Sequence, residues 1–228
     1  MFKRRSDIKE LLDAPEIPTA DLYRNLKELD VINRLLGGYR LTIDTLQRTL
    51  KKGKRYILVD IGCGGGDTLK QIDRWCKAQH FDVRLSGIDL KEDCIAYARG
   101  NDTAGIEFIC DDYRNVLLHI PKVDIIHACL FCHHLADQEI VELIRFCTTN
   151  KITLIINDLE RNAIAYYAIK LLTRLFSRSY LVKNDAPLSV SRGFRSGEWR
   201  AIIIEAGAFR YTISSRWAFR HEIVIYAD

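Results

Sequence analysis

The sequence predicts an α/β fold built on a largely parallel, doubly wound sheet. Three observations carry this. From Tyr56 onward, short apolar runs alternate with amphipathic stretches of helical spacing. The first apolar run, "YILVDIG", leads into a glycine-rich loop that opens a helix, "VDIGCGGGDT", Val59 to Thr68. The chain closes on two β-rich runs in "RYTISSRWAFRHEIVIYAD", which a tight hairpin would place antiparallel at the end of the sheet.

The elements follow in chain order. "SDIKELLDA" opens with Ser and Asp as cap candidates and stops before Pro15, so it reads as a short helix. "PTADLYRNLKELDVINRLLGG" repeats apolar residues at Leu22, Leu26, Leu29, Ile32 and Leu35, and ends at Gly37-Gly38. "YRLTIDTLQRTLKKGK" reads as a third helix ending at Gly53. Next come strand "YILVDIG", helix "DTLKQIDRWCKAQ", strand "VRLSGIDL", helix "KEDCIAYARGN" and strand "IEFICDD". Strand "KVDIIHACLFC" precedes helix "DQEIVELIRFCTTN"; strand "KITLIIND" precedes one long helix that reaches into "SRSYLVK". "KNDAPLSVSRGF" shows no clear period, and "SGEWRAIIIEAG" reads as the last helix. The organisation expected is a helical lid over 1–53 and a core domain over 54–228, with an insertion at 160–200.

The 228 residues suit one large domain, and 48% hydrophobic against 28% charged residues is an ordinary globular balance. A net charge of +4, with small clusters at "KRR" and "KKGKR", falls short of a nucleic-acid footprint. No apolar run reaches the roughly 20 residues of a membrane-spanning helix, and "MFKRR" is followed by charged sequence where a secretory segment would be apolar. The seven cysteines are odd in number and scattered through core-like segments, which fits a reducing, cytoplasmic setting.

"CLFCHHL", Cys129 to Leu135, admits three readings. Cys-x-x-Cys-His attaches c-type haem, but that attachment normally follows export. Cys129, Cys132, His133 and His134 offer four zinc ligands, but structural zinc sites usually draw two pairs from separate turns. The third reading is a buried strand whose polar tip turns into a pocket. No metal is expected.

The glycine loop decides among broader classes. A dinucleotide loop needs Gly-x-Gly-x-x-Gly, and counting from Gly62 puts Asp67 at the third glycine. A phosphate loop of the Gly-Lys-Ser/Thr kind is missing. What stands here is Asp60, Gly62, Gly64 and Gly66 in an Asp-x-Gly-x-Gly-x-Gly frame, with Cys63 inside it. "LSGIDL" then ends at Asp89, the third strand ends at "CDDYR", and the fourth at "CLFCHHL". In this order the set resembles the class I S-adenosylmethionine-dependent methyltransferases, from about residue 55 to 160. The "FCHHL" segment is similar to that of the ubiquinone and menaquinone branch. "INRLLGGYR" and "NDLERN…NDAPLSVSRGF" resemble a bacterial subgroup linked with polyketide or aromatic secondary metabolism.

The resemblance implies a Rossmann-like, mostly parallel seven-stranded sheet with a C-terminal antiparallel strand. It implies S-adenosylmethionine as cofactor, held by Asp60, Gly62, Cys63, Gly64 and Gly66. Asp89 would take the ribose and Asp112, or its rival Asp111, the adenine. Ile88, Leu90, Tyr113 and Cys129 would flank the ligand. His133 or His134 would be general base or substrate orienter, since histidine titrates in the useful range for a phenol. Acceptor candidates are Asn33, Arg40, His133, Asp158, Arg161, Asp185, Ser189 and Arg192. "FCHH" stands where nucleobase-amine methyltransferases carry Asn/Asp-Pro-Pro-Tyr/Phe, so the expected acceptor is a small aromatic or polyketide-like molecule methylated at oxygen in preference to carbon, with a tRNA- or rRNA-modifying methyltransferase and a non-catalytic cofactor-binding protein as the alternatives. No nucleic-acid partner is expected. Lys170, Arg174 and Arg178, spaced by four on an apolar helix, leave peripheral membrane contact as a minor expectation.

Overall fold

A computed structural model describes residues 2–102 and 104–227. Seven strands form one sheet: β1 Arg55–Ile61, β2 Asp82–Asp89, β3 Glu107–Cys110, β4 Ile125–Cys129, β5 Thr153–Leu159, β6 Tyr211–Arg216 and β7 Arg220–Ile225. Their order is β3-β2-β1-β4-β5-β7-β6. Strands β1 to β5 pair in parallel, and β7 runs antiparallel to both β5 and β6. The strand order reverses between β1 and β4, which opens a crevice at their carboxyl ends.

The helices are α1 Thr19–Leu35, α2 Gly38–Thr49, α3 Asp67–Gln79, α4 Glu92–Gly100, α5 Val116–His119, α6 Asp137–Thr149, α7 Ala163–Phe176, α8 Tyr180–Arg192 and α9 Ser196–Glu205. None is long and apolar enough to cross a membrane among the described residues. Successive residues of a strand face opposite sides of the sheet, so each buried strand feeds two cores. In β1, Val59 and Ile61 pack with Ile144, Ile202 and Trp199 of α6 and α9. Leu58 packs on the other side with Leu46, Leu69, Ile72 and Ile95 of α2, α3 and α4. Leu58, Leu69 and Ile144 are fully buried, and each such side chain contributes roughly 1.5–3 kcal/mol. A third cluster, Leu22 and Leu26 with Cys94 and Tyr97, seats α1 against α4.

Three local expectations fail. "SDIKELLDA" forms no α-helix: it is extended up to a 3-10 turn at Leu11–Asp13. Its backbone finds partners elsewhere, with Ser6 N–H on Ser191 O and the Leu11 and Leu12 N–H groups on the Asp185 carboxylate. The long helix after β5 is two helices. Ser177 ends the first with its N–H on Thr173 O, and the Ser179 hydroxyl accepts from Val182 N–H to start the second. "KNDAPLSVSRGF", read as irregular, lies mostly within α8 despite Pro187, because Leu181, Val182 and Val190 are buried there.

Candidate functional site

The loop after β1 is shaped by its glycines. Gly62, Gly64 and Gly66 all have φ between 52 and 72°, the left-handed region that costs other residues about 1–2 kcal/mol. Space is as tight as conformation: a Cβ at Gly62 would stand 2.2 Å from the Phe131 ring, and one at Gly66 2.6 Å from Phe108. The Cys63 N–H donates to Ile88 O, and Gly66 N–H returns to Cys63 O. The free amides of the α3 N-terminus follow directly.

Asp89, at the end of β2, braces this loop. Its Oδ2 accepts from Gly64 N–H and its Oδ1 from Lys91 N–H, each at 2.9 Å. Burial nevertheless pushes its carboxyl above the usual range, against those two hydrogen bonds. Each oxygen keeps a lone pair for a ligand hydroxyl.

The loop and Asp89 line a cavity of about 800 Å³, closed on the far side by α1 and residues 12–17. Gly62, Cys63, Gly64, Asp89, Leu90, Asp111, Asp112, Tyr113 and Cys129 all border it, as do Asn33 and His134. The two neighbouring carboxylates differ. Asp111 is held by Asp112 N–H, the Asn115 amide and the His119 ring at 2.6 Å. The His119 hydrogen bond, first among these, brings its carboxyl down to about 2. Asp112 is engaged by Arg114 alone, through backbone and guanidinium at 2.9 Å. Tyr113 stands edge-on to Phe131 at 5.3 Å. Burial pushes the Cys129 thiol up to about 12.

The sequence singled out other residues that the structure places outside this cavity. Asp60 is buried under the loop, where its Oδ1 meets His127 Nδ1 at 2.7 Å and His127 Nε2 meets the Thr42 hydroxyl at 3.2 Å. It ties β1, β4 and α2 together and does not border the cavity. Gly66 likewise lies behind the wall. Arg40 points to solvent beside Asp44, because it sits on the outer face of α2.

Arg161, Asp185, Ser189 and Arg192 instead clasp the N-terminal strap, residues 2–14. Arg192 donates to Ile8 O, His133 O and His134 O at 2.8–3.1 Å. Asp185 takes two strap amides, Ser189 donates to Glu10 Oε1, and Arg161 donates to Phe2 O while paired with Glu198. None of these four side chains borders the cavity. Arg5 completes the clasp from the strap side, paired with Asp137 and stacked 3.7 Å over the Phe194 ring.

The strap brings Glu10 and Asp13 onto the two histidines, a juxtaposition no sequence spacing announced. His133 is buried, with Nδ1 on Asp158 Oδ1 at 2.7 Å and Nε2 3.5 Å from Glu10 Oε1. His134 reaches the cavity, with Nδ1 on Asp13 at 3.0 Å and Nε2 3.9 Å from Glu10 Oε2. The rings lie 4.3 Å apart. Asp158 stays below the usual carboxylate range although burial opposes this, because His133 lies against it. Burial raises Glu10 to about 7, against the pull of His134.

The ligand atoms of Glu10, His133 and His134 lie within 4.8 Å of one another, close enough for a metal ion. The cysteines of "CLFCHHL" do not join them: Cys132 is buried in the core beside Ile140 and Ile144, and Cys129 borders the cavity. The cluster is already held by hydrogen bonds from Ser189 and to Asp13 and Asp158.

Comparison with known proteins places this site in context. Residues 58–149 match a family model described as a methyltransferase domain. No curated protein matches the chain. Among solved structures, the plantazolicin methyltransferase BpumL, bound to a monoazolic desmethyl-plantazolicin analogue and S-adenosylhomocysteine, is similar at 18% identity and a TM-score of 0.66, over 90% of each chain. A putative O-methyltransferase from Nostoc punctiforme is similar at 16% identity and a TM-score of 0.63, over 97% of this chain and 64% of that one. Human N-acetylserotonin methyltransferase, bound to S-adenosylmethionine, gives 15% and 0.63, over 92% of this chain and 56% of its own. The fold is therefore the Rossmann-like α/β fold of S-adenosylmethionine-dependent methyltransferases, and the first and third of these structures hold S-adenosylhomocysteine and S-adenosylmethionine.

Proposed function

We propose that this chain is a class I S-adenosylmethionine-dependent methyltransferase that acts on a small, aromatic or polyketide-like acceptor, at oxygen in preference to carbon. The observation that carries the reading is the Asp89 carboxylate, braced on the glycine loop at the rim of a cavity at the sheet's switch point. The named activities of the similar structures, a natural-product methyltransferase and a putative O-methyltransferase, agree with it.

S-adenosylmethionine, when bound, supplies an electrophilic methyl group. The residues of this chain have the remaining tasks. Asp89 accepts from the ribose hydroxyls and Asp112 from the adenine amine, while the bare backbone at Gly62 and Gly64 lets the ligand approach closely. His134 faces the cavity and takes the proton of the acceptor hydroxyl. His133, which is buried and does not border the cavity, positions it through the contact between their tilted rings and through Glu10, and is itself fixed by Asp158. Residues 1–53 act as the lid over a core of 54–228. Within the 160–200 insertion, α8 holds the strap closed so that water is excluded. Leu12, Leu22, Leu26 and Leu29 give the cavity an apolar wall suited to an aromatic acceptor.

The test is calorimetric titration with S-adenosylmethionine and S-adenosylhomocysteine, followed by a radiolabelled methyl-transfer screen over phenolic acceptors. Micromolar binding of both ligands is expected. Folded protein that binds neither would end this reading.

A further inference from the structure

The helix α7 is built inside out. Of its residues only Thr173 is buried. The apolar side chains sit on the opposite side, at spacings of three and four: Ile164 (69% exposed), Tyr167 (60%), Leu171 (58%) and Leu175 (64%), widened by Leu172 and Phe176 (77%). A solvated surface helix carries the reverse pattern, with apolar residues inward and charges outward. Six large apolar groups along one helix also exceed the scattered exposure normal for a soluble surface.

Charge identifies what covers them. Residues 161–184 contain no Asp or Glu. Lys170 and Arg174 stand on α7 itself, Arg178 follows it and Lys183 lies in α8; all four are exposed, and no ion pair neutralises any of them among the described residues. Arg161, the other cation there, is committed to Glu198. A second copy of this chain, docked α7 to α7, would bring four helix cations together with no carboxylate from either helix between them. An anionic membrane supplies both things the face needs: an acyl boundary for the apolar side chains and phosphates for the flanking cations.

We propose that α7 docks the protein on an anionic membrane, lying flat at the interface. Its 14 residues make a rod of about 21 Å, long enough to lie in the headgroup layer and too short to cross it. The proposal is independent of the catalytic reading.

The experiment is co-sedimentation with phosphatidylcholine vesicles, and with vesicles of three parts phosphatidylcholine to one part phosphatidylglycerol, at low and high salt. Binding is expected only to the second kind, weakening with salt. Each basic residue should contribute about fivefold, the partition equivalent of ~1 kcal/mol. The pair Lys170→Glu and Arg174→Glu should therefore lower binding at least about 25-fold. Leu171→Ser with Leu175→Ser should lower it about tenfold or more. All four positions are exposed, so circular dichroism and S-adenosylhomocysteine affinity should stay as in the parent. Three results would overturn the proposal: no binding to either vesicle, equal binding to both, or a dimer in sedimentation velocity that the Leu171→Ser, Leu175→Ser pair dissociates.

Discussion

Asp89 should separate bracing the loop from holding a ligand. In Asp89→Ala, Gly64 N–H and Lys91 N–H lose a charged acceptor at 2.9 Å each. Hydrogen bonds to charged groups are worth roughly 1.5–3 kcal/mol when shielded. The site borders an open cavity, so water recovers part of this, leaving about 2 kcal/mol in all. For a chain of this size that lowers Tm by about 4–8 °C. Two ribose hydroxyls on one carboxylate, at about 1.5 kcal/mol each, make S-adenosylhomocysteine binding about 100-fold weaker. Asp89→Asn accepts from one backbone amide and turns its own NH2 toward the other. It should lose about half the stability and bind roughly tenfold more weakly. Differential scanning calorimetry and titration calorimetry read the two effects apart. An Ala variant with lowered Tm and unchanged affinity would refute the ribose contact; an unchanged Tm would refute the brace.

Gly66→Ala forces a left-handed Ala whose Cβ lies 2.6 Å from the Phe108 ring; strain and overpacking together cost about 3 kcal/mol, and a Tm within about 2 °C of the parent would contradict the close approach. Glu10 is buried and its folded value is raised from 4.5 to about 7. It therefore holds a proton more firmly folded than unfolded. The stability it adds is complete below about pH 4.5 and is lost as pH rises through about 7, up to about 3 kcal/mol. Glu10→Gln should match the parent in Tm at pH 4.5 and exceed it by several degrees at pH 8; a constant difference across that range would refute this. Of the seven thiols, Cys110 is exposed and the others are buried or only partly accessible. A thiol reagent should label Cys110 first in native protein, and faster labelling of any other cysteine would show that the core opens.

What was legible in the sequence was whatever local chemistry dictates. Alternating apolar runs gave the strands, and glycines that must turn left-handed gave the loop. A carboxylate at each strand end gave Asp89 and the Asp111–Asp112 pair, all at the cavity. What stayed illegible depends on partners far along the chain. Nothing near Ser6–Ala14 says that its amides will be met by Asp185 and Ser191, so helical spacing won the reading and tertiary hydrogen bonds won the structure. Arg161, Asp185, Ser189 and Arg192 were recognisable as polar residues with a task, but the task is to hold Glu10 and Asp13 over the histidines. Asp60 was read from the frame of the loop, and burial gave it to His127 instead.

The strap also has a consequence for how the chain is made. Residues 2–14 are met by Asp185, Ser189 and Arg192, which are synthesised 174 to 184 residues after their partners there. Helix α1 has the same debt: Asn33 waits for Arg220, whose guanidinium also reaches Asn157. Contacts of such sequence separation form late, since the loop must close before any of them can form. The strap is therefore made well before the helix that seats it. A nascent chain halted after β5 has most of its sheet and no clasp, and it exposes α1 and the strap together. Any factor that shields nascent chains meets an unseated strap for as long as α8 is unmade.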